Sequence, residues 1–148
     1  VKKSKRIQAL VDLNLMQEKK ALEVIAEVQK RLLTSQTQVE QLKHYRLEYA
    51  EKFKRMGSAG TGIRQLLDFR AFMEKLDSAI HGQELALTRI ENELHHKRKV
   101  WEGLHHRTTS LEKVCASALR DEQKVQDKQE QNAQDEHASR SSRKHKDT

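Results

Sequence analysis

Met56-Gly57-Ser58-Ala59-Gly60-Thr61-Gly62 is the one glycine cluster in the 148 residues, and the chain reads alike on both sides of it. Upstream, steps of three and four residues pass through Ile7, Val11, Asn14, Glu18, Ala21, Ile25, Val28, Leu32, Ser35, Val39, Leu42, Arg46, Tyr49, Phe53 and Met56. Downstream they pass through Phe69, Met73, Leu76, Ile80, Gln83, Leu87, Ile90, Leu94, Lys97, Trp101, Leu104, Thr108, Leu111, Cys115 and Ala118. Eleven of the first fifteen and twelve of the second fifteen positions are apolar, whereas a chain that is 35% hydrophobic gives about five by chance. Two helices that share a turn form an antiparallel hairpin.

The mean step of 3.5 residues lies just under the relaxed helical period, so a left-handed coiled coil keeps the stripe on its partner. The chain has no proline, and its glycines supply the backbone freedom for a reversal. The expected fold is therefore all-α, a long two-helix antiparallel coiled-coil hairpin with a disordered basic C-terminal tail. Helix 1 is expected at about 3–56, the turn at 57–62, helix 2 at about 63–125 and the tail at 126–148. The tail offers only Ala133 and Ala138 as hydrophobic residues, too little to offset the entropy of ordering.

With Ile25 and Leu32 as heptad position a and Val28 as d, facing residue numbers sum to about 122. Phe53 then faces Phe69, Leu32 faces Ile90, Ala21 faces Trp101 and Asn14 faces Thr108. At about 1.5 Å per residue, the arms are expected to be roughly 75 to 100 Å long.

Charged residues make up 34% of the chain and aromatics 4%, which suits a slender solvated structure better than a globule. Cys115 alone excludes an internal disulfide framework, and its seam position reads as a small buried hydrophobe in a reducing compartment. No stretch approaches the roughly 20 apolar residues of a membrane span, and the basic start lacks a signal-type core, so a cytoplasmic protein is expected.

The net charge of +7 and the basic residues Lys2, Lys3, Lys5, Arg6, Arg140, Arg143, Lys144 and Lys146 suit phosphates or an acidic protein surface. No aromatics interleave with them, so nucleic-acid binding is not expected to be the main role. The glycine cluster lacks the Gly-Lys-Ser/Thr ending of a phosphate loop. His95-His96 and His105-His106 point about 100° apart within each pair, and the pairs are separated by roughly 15 Å along the axis, so a solvated face is expected rather than a metal site. No nucleophile, base and orienting group converge, and neither an enzyme, a cofactor nor a small-molecule substrate is expected.

Five of the six aromatics, Tyr45, Tyr49, Phe53, Phe69 and Phe72, lie toward the turn. Tyr45 and Phe72 occupy g positions, and g flanks g in an antiparallel pair. The ridges Gln38, Leu42, Tyr45, Tyr49 and Phe72, Leu76, Ala79, Gln83 thus border one tyrosine-rich flank, read either as a partner-docking patch or as a widened seam. Further off-seam apolar residues, among them Leu15, Leu22, Val24, Val100 and Val114, lie nearer the termini.

A basic two-helix pattern with Tyr45 and Tyr49 four apart, then Met56-Gly57-Ser58-Ala59-Gly60, Phe72, Leu76, Ala79-Ile80 and Trp101, resembles the FliJ family of the bacterial flagellar type III export apparatus. The resemblance runs from about Leu10 to Leu111. It implies a central stalk in the pore of a hexameric flagellar export ATPase, peripheral association with the inner membrane at the export apparatus, and escort of flagellar export chaperones. The terminal half of the hairpin would enter the ring, with the basic N-terminal run, Leu22 and Val24 as candidates for that contact. It also implies that Gln38, Leu42, Tyr45, Tyr49, Phe72, Leu76 and Ala79 bind the cytoplasmic linker of the membrane export gate; Gln83 departs from the histidine of the family pattern. An injectisome stalk shares the hairpin and the ring partner but not the tip ridge. A plain coiled-coil scaffold needs the seam alone.

Overall fold

The structure is a computed structural model and describes residues 2–57, 60 and 62–146. It contains two helices, α1 (Lys3–Gly57) and α2 (Ile63–Lys146), which pack against each other, and no strand among the described residues. The all-α helical hairpin is thereby shown. The expected turn at 57–62 falls partly on Ser58, Ala59 and Thr61, outside the described residues. Gly60 adopts φ 90°, a region open to glycine, and its N–H donates to Gly57 O at 3.3 Å. Gly62 O then accepts the first intrahelical bond of α2 from Leu66 N, at 3.2 Å.

The chain divides into two compact units. Unit 2, Lys20–Trp101, holds a core of Ile25, Val28 and Leu94, against which Leu32, Ile90 and Trp101 pack. Val28 is only 2% exposed. Burying each such aliphatic side chain contributes about 1.5–3 kcal/mol, which the isolated helix could not supply from propensity alone. Residue numbers rise on α2 as they fall on α1, from Phe53 with Phe69 to Lys43 with Glu84 and Arg31 with Glu93, so the two segments are antiparallel in the expected register.

Unit 1 comprises residues 1–19 and 102–148, and its apolar core is Ile7, Val11, Cys115 and Ala118 with Leu111 packed on it. Cys115 is buried, with Sγ 3.6 Å from Ser4 O. Unit 1 also holds a polar layer. The Asn14 amide donates to Leu104 O at 2.7 Å and to the Thr108 hydroxyl, and the Thr108 hydroxyl donates to Glu18 Oε2 at 2.6 Å. His105 Nδ1 lies 2.8 Å from the other Glu18 oxygen; a carboxylate only accepts, so this nitrogen carries the proton. The Thr108 bond foremost, with His105 in support, holds the Glu18 pKa below its ordinary value of 4.5 against the opposing effect of burial. The facing of Asn14 and Thr108 follows the expected register. His105, expected on a solvated face, keeps over half its side-chain surface exposed but is tied to this layer.

The start of α1 is capped from α2. Ser4 donates from its N–H and its hydroxyl to the Glu122 carboxylate, at 3.0 and 2.7 Å, and these bonds lower the Glu122 pKa. A carboxylate there also faces the positive end of the helix dipole.

The tail departs from expectation, since α2 continues through 126–146, with the side chains of 126–145 exposed. The stretch has no glycine or proline and is rich in Gln, Lys, Glu and Ala, all good helix formers. Pairs four residues apart support it: Gln123 with Asp127 at 3.0 Å, Gln126 with Glu130 at 3.3 Å and Arg140 with Glu136 at 3.6 Å. The expectation of disorder weighed the absent apolar surface and omitted this local propensity; residues 147–148 lie outside the described residues.

Candidate partner-binding face

All seven candidate residues lie in unit 2, where the seam passes from aliphatic to aromatic packing. Phe53 and Phe69 stack with centroids 3.9 Å apart and planes 7° apart. Tyr49 stacks on Phe69 at 5.7 Å and meets Phe72 at 4.5 Å, and Tyr45 sits edge-on to Phe72 at 6.3 Å and 6.4 Å from Tyr49. Each such pair contributes about 0.5–1.5 kcal/mol beyond area burial, so the cluster fixes the rings as well as burying them.

The g assignments for Tyr45 and Phe72 are met, because their edge-on contact places both on one flank. The other flank is ionic: Lys43 pairs with Glu84 at 3.1 Å, and Arg46 donates to both Asp77 carboxylate oxygens. Asp77 raises the Arg46 pKa further, first by these bonds and then by its charge. On the aromatic flank, Arg31 Nη2 donates to Glu93 Oε1 at 2.6 Å, beyond the Gln38 end of the ridge. An open groove of about 430 Å³ runs between these points, with Thr34, Ser35, Gln38, Gln83, Ala86 and Ile90 in its walls.

The seven residues divide by exposure. Gln38, Tyr45 and Ala79 stand exposed, Tyr45 at 47%, while Leu42, Tyr49 and Phe72 are half-buried and Leu76 is buried. Leu76 is buried at its seam position, as the widened-seam reading expects, whereas Gln38, Tyr45 and Ala79 stand out from the seam. Gln83 is half-buried.

Met56, expected at the end of the seam, is half exposed, and Ile63, Leu66 and Leu67 are exposed beside it in sequence. A heptad pattern carries no mark of where packing opens, so these four were not singled out as a surface. Among the described residues no group of three or more His, Cys, Asp or Glu is placed to hold a metal ion, and no helix is long and apolar enough to cross a membrane.

No curated protein and no solved structure matches the chain. Residues 3–147 match the family described as Flagellar FliJ protein, a span that takes in both helices and the whole aromatic ridge. With that match over nearly its full length, the chain belongs to the FliJ family.

Proposed function

We propose that this flagellar export-related protein is the central stalk of the hexameric export ATPase, that it joins the ring to the cytoplasmic linker of the membrane export gate, and that it escorts export chaperones. The family is a non-catalytic component of flagellar export. One observation carries the finer reading: a seam matched by that family leaves an uncharged aromatic ridge standing on one flank while ion pairs close the other.

A two-helix stalk has no sixfold symmetry, so it meets six subunits unequally. Unequal contacts favour some subunit conformations over others and can promote ring assembly and hydrolysis without contributing a catalytic group. The gate linker docks on Gln38, Tyr45 and Ala79, with Leu42, Tyr49, Phe72 and Leu76 holding the ridge in shape. The same exposed ridge is available to a chaperone when the protein is free of the ring.

Tyr45→Ala tests the gate contact more cleanly than any change at Phe72, whose half-buried ring packs on Tyr49. The variant is expected to bind the gate linker at least tenfold more weakly, about 1.4 kcal/mol, in isothermal titration. Its helical circular dichroism should be unchanged, and its stability in urea should fall only by the loss of the two ring contacts with Tyr49 and Phe72, about 1–3 kcal/mol. Equal affinity in the two proteins would remove Tyr45 from the interface.

A further inference from the structure

Where α1 ends and α2 begins, unit 2 leaves several apolar side chains exposed. Met56 is 50% exposed, Ile63 79%, Leu66 43% and Leu67 58%. Ile63, Leu66 and Leu67 share one face of the first turns of α2, at the spacing i, i+3, i+4. An open groove of about 290 Å³ lies beside Met56, walled by Phe53, Met56 and Phe69 together with Lys52, Gln65 and Asp68.

Cations outnumber acids along this stretch of the chain. Between residues 52 and 70 the chain carries Lys52, Lys54, Arg55, Arg64 and Arg70 against the single acid Asp68, with Glu48 and Glu51 on earlier turns of α1. Lys54 and Arg55 occupy the last turn of α1, and the first turn of α2 has no acidic residue to neutralise the positive end of its dipole. Arg70 lies two turns after Ile63 on the same helical face, where a long side chain reaches back to phosphate level while Ile63 enters the apolar layer.

We propose that this end of unit 2 inserts shallowly into the headgroup region of an anionic membrane. Apolar side chains where the helices meet the turn, with an excess of cations beside them, match the two layers such a surface presents in order of depth: phosphates outside, hydrocarbon beneath. A wholly hydrophilic acidic surface would be met by the cations alone and would leave four apolar side chains in water. The inference stands apart from the stalk and gate reading, since it uses none of the ridge residues as contacts.

Vesicle flotation of the full chain tests it. The protein should float with phosphatidylglycerol-containing vesicles and not with pure phosphatidylcholine, and added salt should weaken the binding. Ile63→Glu with Leu67→Glu should reduce partitioning at least tenfold, and Arg64→Gln with Arg70→Gln should reduce it several-fold, with unchanged helical circular dichroism because these side chains are exposed. Tyr45→Ala, and Arg140→Gln with Arg143→Gln, should float as the parent does. Failure of the parent to float overturns the proposal. So does flotation undiminished by both tip variants, or lost only with Arg140 and Arg143, which would assign lipid binding to the basic end of α2. Self-association without vesicles that Ile63→Glu abolishes, with no flotation, would make the apolar end a contact between copies instead.

Discussion

Thr108→Val lowers the unfolding free energy by about 2–3 kcal/mol at neutral pH, although the substitution preserves shape and adds apolar surface to a buried position. The Thr108 hydroxyl accepts from Asn14 and donates its one hydrogen to Glu18. Valine leaves Asn14 with Leu104 O and Glu18 with His105, and strips a buried carboxylate of its shortest hydrogen bond. Urea titration followed by circular dichroism reads the loss. The sign of the pH dependence follows from Glu18, whose folded pKa lies below 4.5. Its stabilising contribution is present above the unfolded value and fades as pH falls through the folded one. The gap between parent and Thr108→Val is therefore expected to narrow well below pH 4.5. Replacing Asn14, Glu18 and Thr108 together by leucine should recover the loss, because the polar atoms then leave as a set. A Thr108→Val protein as stable as the parent would mean that the layer is satisfied by water.

Leu94→Ala is expected to cost about 2–4 kcal/mol, since Leu94 packs with Ile25 and Val28 in a core only two helices wide. There is no second layer of side chains to move into the gap. Leu33→Ala is the matched control: the same deletion at a leucine that is 65% exposed should change stability by no more than about 0.5 kcal/mol. Similar midpoints for the two variants would show that the seam does not follow the register given by Phe53 with Phe69 and Asn14 with Thr108.

Those pairings were legible in the sequence because a 3-4 repeat and a glycine turn together leave one free variable, the register, and the turn fixes it. The aromatic flank was legible for the same reason, since g positions follow once a and d are assigned. Exposure along that flank was not. Leu42, Tyr49 and Leu76 all fall on the seam as well as on the ridge, and only packing separates the buried Leu76 from the half-buried Leu42 and Tyr49. The helix beyond residue 125 was missed because seam logic weighs burial and takes no account of side-chain pairs along one helix, such as Gln126 with Glu130. Glu18 with His105 was missed because His105 lies beside the seam, and period alone does not reveal a side chain reaching inward from there. The apolar end at Ile63 was missed because repeats describe what is packed and do not mark where packing stops.

The stalk claim meets its most direct test in ATP hydrolysis by the matching flagellar export ATPase, measured with and without this protein while hexamers are counted by electron microscopy. The account predicts faster hydrolysis together with more complete rings, both saturating as the protein is added. Unchanged hydrolysis and an unchanged ring count would contradict it.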